Sequence, residues 1–468
     1  MFAINTPGFL AFAAALCLLW YRLPRAKRWL AMLGAGIVFY LSIDMPGFFV
    51  LLGVTFVVWW AAQRAAPALP RRRAWLGVGL AAVLGPLALF ALGTQGVFGL
   101  RLWAGKGLVQ PLGLSYFCLQ LAGYLLDVWR GRFPPERRFA RLFCYAGCFL
   151  SITQGPFNRY NVLMPQLDDA PDYDGTRLWR GALRCTWGFF KKLAIAERMA
   201  VVVDAAFAAP AAFDTSQLVF AAVLYTMQLY ADFSGYTDIV LGLGEMLGLA
   251  LPENFAQPLF APGINAFWRR WHISLSQWLR DYVYISLGGN RKGLARRDLN
   301  IFLTFAVSGL WHGTGSAYLL WGALHGLAQC AENHLPLRWR GGRAKGLPRV
   351  LLTCGTFAFV AAAFVLFRAG NLAAAGDYLA AVLHNPGARV FANYWELGLT
   401  SRLELLLLLF GAALLLAVDA LHARGIHLRD RLAASPLPVR WAVYQGAIFA
   451  FLLMGKFLAG GGFLYAKF

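Results

Sequence analysis

His312 lies in Ser308-Gly309-Leu310-Trp311-His312-Gly313-Thr314-Gly315, deep inside an apolar run. An ionisable side chain at hydrocarbon depth is costly and points to use. With an ordinary pKa of about 6.5, a neutral imidazole is a suitable general base for a hydroxyl or thiol proton. The competing reading is a helix-packing histidine bonded to a carbonyl, but the flanking glycines let a substrate approach the backbone. His272 lies in Phe267-Trp268-Arg269-Arg270-Trp271-His272-Ile273-Ser274-Leu275-Ser276-Gln277-Trp278-Leu279-Arg280-Asp281-Tyr282. The bulky residues at 267, 268, 271, 275, 278, 279 and 282 make one helical stripe, with the charged residues mainly off it. That pattern predicts an amphipathic interfacial or re-entrant helix. Its arginines either anchor at headgroups or meet the phosphates of an anionic cofactor, since arginine recognises phosphate well. Arg269 and Arg270, with Lys191 and Lys192 after Gly188-Phe189-Phe190, are the candidates for that contact; the plainer reading of the lysines is a snorkelling pair.

Asp232 and Asp238 also fall in an apolar segment. They polarise a histidine, pair with an arginine or build a polar network, and spacing alone does not choose. His325, His334, His384, His422 and His427 show no companion pattern and read as structural or solvated. Of seven cysteines, Cys144 and Cys148 are four apart but lack partners for zinc, and read as buried small apolar residues. No metal site is expected. No Walker loop, HExxH or GxSxG arrangement occurs.

The elements that must position these residues are written in the composition. The 468 residues are 59% hydrophobic and 14% charged, with mean hydropathy +0.56. Soluble chains are about 45–50% apolar and about 25% charged, so the departure excludes a soluble enzyme, a disordered chain and a disulfide scaffold. The formal charge of +21 would suggest nucleic acid in a soluble protein. Here the basic residues cluster between apolar runs, as cytoplasmic loops do. The runs are Phe9–Trp20, Trp29–Ile43, Phe48–Ala62, Ala74–Leu92, Leu108–Val128, Phe139–Ile152, Leu218–Leu243, Leu299–Gly322, Val350–Phe367, Leu403–Leu421 and Trp441–Ala459. They predict an all-α polytopic membrane protein with about eleven transmembrane or re-entrant helices, forming a single membrane domain over residues 1–468.

Loop charge sets the expected orientation. Arg22, Arg25, Lys27 and Arg28 follow the first run and nothing basic precedes it, so the N-terminus is expected outside. The acidic loop Asp168–Asp174 fits the outer side. Basic clusters stand both before Leu299 and after Asn333. A single crossing would put one of them outside, so two helical passes broken at Gly313-Thr314-Gly315-Ser316 are expected. The basic loop His422–Arg440 is expected inside. The final segment, Gly460-Gly461-Gly462-Phe463-Leu464-Tyr465-Ala466-Lys467-Phe468, then emerges outside on a glycine hinge.

Several stretches resemble the bacterial membrane-bound O-acyltransferases, in particular the alginate O-acetylation branch. They are Pro111–Tyr116, Asp127–Gly131, Gly155–Tyr160, Phe190–Lys192, Asp232–Tyr236, Pro252–Phe255, Phe267–Asn290, Gly309–Gly313 and Leu320–Gly326. The resemblance implies a ring of helices around a central funnel, with the family histidine mapping onto His312 and a second recurrent one onto His272. It implies cytoplasmic acetyl-CoA as donor, an extracytoplasmic partner transferase and a polysaccharide as final acceptor, in a bacterial inner membrane. The terminal residues are similar to the family's acyl-acceptor ending, which singles out Tyr465, although Ala466 and Lys467 stand where relatives often carry a second aromatic. The expected chemistry is a relay of acetyl via His312 and Tyr465. Alternatives are direct transfer with Tyr465 structural, service to peptidoglycan, D-alanyl transfer to teichoic acid, and a non-enzymatic proton-coupled transporter.

Overall fold

The structure is a computed structural model that describes residues 6–67, 69–91, 110–336 and 344–456. Among them the regular elements are helices, and they divide into two compact units: Met1–Cys185 with Thr237–Glu253, and Thr186–Tyr236 with Asn254–Phe468. The first unit holds α1 (Pro7–Arg22), α2 (Arg28–Ile43), α3 (Met45–Ala65), α4 (Arg72–Phe90), α5 (Leu114–Trp129), α6 (Phe139–Ala146) and α7 (Tyr160–Asp168). Two helices carry the chain from unit to unit, α8 (Gly175–Phe190) and α10 (Thr215–Leu247), with α9 (Glu197–Ala208) between them. The second unit continues with α11 (Ile264–Trp268), α12 (Ile273–Leu279), α13 (Leu294–His312), α14 (Ser316–His334), α15 (Gly346–Ala369), α16 (Leu372–His384), α17 (Arg402–Ala423), α18 (Leu428–Ala433) and α19 (Leu437–Met454). Six helices among the described residues are long and apolar enough to cross a membrane: Arg25–Ile43, Met45–Ala65, Arg72–Phe90, Gly346–Ala369, Arg402–Ala423 and Leu437–Met454.

Local chemistry sets the helix ends. The Thr6 hydroxyl accepts from the Phe9 amide at 3.3 Å, and Pro7 occupies the first turn of α1, where its missing N–H is harmless. Asp44 is the whole turn between α2 and α3. Its carboxylate accepts from Gly47 at 2.9 Å and from Leu112 at 2.8 Å, capping one helix and holding the segment that leads to α5. Ahead of α10, Asp214 and Gln217 exchange side-chain-to-amide bonds of 3.0 Å each, a reciprocal capping box.

The sequence reading leaves Phe139–Ile152 as either a crossing or a re-entrant segment. The apolar run looks long enough to cross, but the helix stops at Ala146 and the backbone is non-helical from Gly147 to Arg159 before α7 begins. The chain therefore reverses rather than crosses. The acidic loop then returns to the end of the unit where the first basic loop lies. Arg25 Nε donates to Asp172 at 3.1 Å, and the buried Arg28 donates to the Ala170 and Pro171 carbonyls at 2.9 and 2.8 Å. The expectation that these two loops lie on opposite faces is corrected by those contacts. Cys144 and Cys148 are both buried, as expected.

Glycines bring α8 and α10 close. A Cβ on Gly181 would fall 2.4 Å from the Gly242 carbonyl, and one on Gly235 would fall 2.8 Å from the Gly188 carbonyl. The pairs are seven residues apart on each helix, so each helix offers a bare stripe to the other. Close backbone approach of this kind is how helices associate when lipid removes the hydrophobic drive.

Candidate active site

The second unit builds its site around a helical hairpin. α13 and α14 are both 19 residues long and separated at Gly313–Gly315, the break expected from the two basic clusters. A Cβ on Gly309 would meet the Tyr318 carbonyl at 2.4 Å, and one on Gly322 would meet the Phe305 carbonyl at 2.3 Å. Only hydrogen fits at either place, so the two backbones touch and the end of α13 is fixed. Gly313, where a Cβ would sit 2.5 Å from the Tyr318 ring, ends the helix just after His312.

His312 is thus the last residue of α13 and is 3% exposed. Its ring lies 4.6 Å from Trp311, 5.2 Å from Trp321 and 5.3 Å from Phe367, centroid to centroid. Those rings bring α14 and α15 against it and fix its plane.

His272 is 1% exposed and has φ 45 and ψ 52, a left-handed conformation, at the start of α12. A β-carbon makes that region costly, by about 1–2 kcal/mol, although histidine visits it more readily than most residues. Asn254 supplies the restraint. Its carbonyl accepts from the Ile273 amide at 3.0 Å, and its Oδ1 accepts from the Ser274 amide at 3.2 Å and the Ser274 hydroxyl at 2.6 Å. The His272 ring packs edge-on against Phe233 at 4.8 Å and against Trp311 at 6.1 Å. Both histidines therefore flank the same indole. Asn254, Trp311 and Trp321 were not foreseen as site residues. Pro252-Glu253-Asn254-Phe255 was visible as a motif, but its use as a brace needs the fold.

His325, expected to be structural, is buried in an aromatic cage and accepts from Trp268 Nε1 through Nδ1 at 3.2 Å. That bond places its ring proton on Nε2. The other candidates lie on several elements. Lys191 and Lys192 lie on a π-helical turn, Lys191–Ala196, that joins α8 to α9 into one continuous rod. Such widened turns recur at functional positions. Both lysines are buried; Lys191 donates to Ser234 Oγ at 2.8 Å. Lys192 is 2.6 Å from both Asp232 and Glu197. Two carboxylates on one ammonium leave it little attraction for a further anion. Asp232 is thus a network residue, whereas Asp238 pairs with Arg184 Nε at 2.8 Å. Arg269 is exposed and Arg270 half-buried, each donating to a backbone carbonyl, of Asn265 and Phe260 respectively. Tyr465 and the rest of 460–468 lie outside the described residues. Among the described residues, no group of three or more His, Cys, Asp or Glu is placed to hold a metal ion.

An imidazole enclosed by aromatic side chains is a group whose chemistry is able to accept a hydroxyl proton. Comparison with known proteins gives the same direction. The chain is 35% identical over 399 residues to the Probable alginate O-acetylase AlgI of Pseudomonas putida, covering 83% of this chain and 80% of that one. It is 30% identical over 385 residues to a peptidoglycan O-acetyltransferase of Helicobacter pylori, covering 75% and 72%. A teichoic acid D-alanyltransferase of Bacillus subtilis is 28% identical over 278 residues, covering 56% and 69%. The family model described as MBOAT, membrane-bound O-acyltransferase family, matches residues 137–339, a stretch that contains the buried His272, His312 and His325 and the hairpin. On that similarity and that site, the chain belongs to the membrane-bound O-acyltransferase family and is an acyltransferase enzyme of the membrane.

Proposed function

We propose that the protein takes acetyl from cytoplasmic acetyl-CoA and relays it across the bacterial inner membrane for O-acetylation of an extracytoplasmic polysaccharide, alginate or a cellulose-like polymer. The observation that carries this reading is His312, enclosed by aromatic rings at the end of a glycine-fixed helix in a chain whose relatives are named for O-acetylation. His312 acts as general base. The Tyr465 hydroxyl gives its proton to the imidazole, its oxygen attacks the thioester carbonyl carbon, the carbon–sulfur bond breaks, and the departing thiolate takes the proton back. The products are an acetyl-tyrosine ester and free CoA thiol. His272, packed against Trp311, holds that indole beside His312. Arg269 and Arg270 meet the donor phosphates, and Lys191 and Lys192 carry the adjoining polar network. N- and C-termini face outward, where a partner transferase passes the acetyl to the polymer.

The test is intact and peptide mass spectrometry of purified protein after incubation with acetyl-CoA. One acetyl group is expected on Tyr465, and none in His312→Ala, with a fall in acetyl transfer of about a hundredfold or more. Thioester turnover with an unmodified tail would replace the relay by direct transfer to a partner. An acyl-carrier protein loaded with D-alanine substituting for acetyl-CoA would overturn the donor. If neither CoA release nor modification occurred with the partner present, acetyl-CoA would fall as the donor and the acyl group would have to come from another carrier.

A further inference from the structure

The π turn that carries the two lysines also receives the end of α19. One of its carbonyls, that of Leu193, accepts from the Lys456 amide at 3.0 Å. One turn further on, Arg198, only 5% exposed, donates from Nη2 to the Met454 carbonyl at 2.8 Å. Met454 closes α19, so the guanidinium meets a carbonyl that the helix itself leaves without a partner, at the negative end of its dipole. On the other side, Lys456 Nζ lies 3.3 Å from Glu404 in the first turn of α17. The Met454 side chain reaches to where a Cβ on Gly411 would lie, 3.3 Å away, and Phe451 packs on Phe190 at 6.4 Å.

Three bonds of different kinds therefore converge on Met454–Lys456, the last described residues before the C-terminal segment. Burying a guanidinium to hold one helix end is an expensive solution where an apolar contact would serve for packing alone. Tyr465 stands nine residues past Lys456, a reach of at most roughly 30 Å at about 3.3 Å per residue. Where that short tether is rooted decides what the tyrosine can meet. A root freed by two unwound helix turns lengthens the tether and dilutes its end roughly as the −3/2 power of length.

We infer that Arg198, the Leu193 carbonyl and Glu404 clamp the root of the C-terminal segment, and that Arg198 is a positioning residue for acyl transfer to Tyr465; this rests on the reading of Tyr465 as acceptor. The experiment follows Tyr465 acetylation in single turnover with purified full-length protein and acetyl-CoA, alongside the KM for acetyl-CoA. In Arg198→Gln, and in Lys456→Pro, which removes the amide donor, acetylation slows by about twofold with KM unchanged. Arg198→Lys restores part of the rate, and Lys456→Gln, which keeps the amide but loses the Glu404 ion pair, slows less than Lys456→Pro. Normal acetylation in both Arg198→Gln and Lys456→Pro overturns the clamp and leaves the relay standing. A parallel loss of donor binding and thermal stability makes Arg198 a structural residue and overturns the clamp equally. Wild-type protein that turns over acetyl-CoA without ever carrying acetyl on Tyr465 removes the relay, and the clamp's role with it.

Discussion

A histidine in the left-handed region is held against its own preference, and the brace is a single asparagine. Asn254 bonds Ile273 and Ser274 on the far side of His272, so its effect on catalysis should pass through that ring. Asn254→Ala is expected to lower the acetylation rate by roughly tenfold, against about 1–2 kcal/mol of released backbone strain. In a His272→Ala background the same change should do almost nothing further. The check is a double-mutant cycle on rate; additive losses would make Asn254 a residue of fold stability only. His312 stood out as an ionisable group in an apolar run, whereas His272, in the amphipathic stretch 267–282, was singled out by the family resemblance. Trp311 and Trp321 were not legible, since a tryptophan in an aromatic-rich chain carries no sign of which ring it will face. Lys192 was read either as a snorkelling side chain or as a charge for an anion, and the π turn places it beside Asp232 and Glu197. A local change of helical period is invisible to periodicity.

At the scale of elements, the α13–α14 hairpin was legible from a conflict of charges, and its glycines explain how two helices can lie so close. Gly322→Ala forces a methyl to within 2.3 Å of the Phe305 carbonyl, whereas at Gly326 the nearest atoms are 3.1 Å away and at Gly376 nothing lies within 4 Å. The expected order of damage follows. Gly322→Ala loses most activity and about 1–3 kcal/mol of stability, Gly326→Ala loses less, and Gly376→Ala is neutral. Thermal unfolding in detergent, paired with acetyl transfer, measures all three. Equal behaviour of the three variants would show that the hairpin is not held by contact. Phe139–Ile152 was left open between crossing and re-entrant, and its helix ends at Ala146. Its hydropathy suits a span, but length and apolarity do not reveal whether a helix continues past Gly147, and buried irregular backbone is tolerated in membranes where protein surrounds it.

For the whole molecule that one segment bears on which loops share a face. With the chain reversing at Ala146, the loop Asp168–Asp174 joins Arg25 and Arg28 at one end of its unit. Charge rules based on lysine and arginine give such an acidic loop little weight, which is why its side was not legible. Asp169 is 90% exposed in its side chain and Arg25 is 49% exposed, so both positions can be probed. Single cysteines placed there, in a background without the exposed Cys354, should react with a membrane-impermeant maleimide from the same side, and only after permeabilisation if that side is the cytoplasm. Labelling from opposite sides would restore the crossing.

The division of the chain into units also has an order in time. Residues Thr237–Glu253 belong to the first unit, yet the ribosome delivers them after Thr186–Tyr236, which belong to the second. At about 5–20 residues per second, the first unit waits several seconds for its last piece while 51 residues of another unit emerge. During that interval Gly181 on α8 has no partner at Gly242. Biogenesis therefore cannot proceed as one finished half followed by the other, and a nascent chain arrested before Glu253 would leave the membrane insertion machinery holding an incomplete bundle.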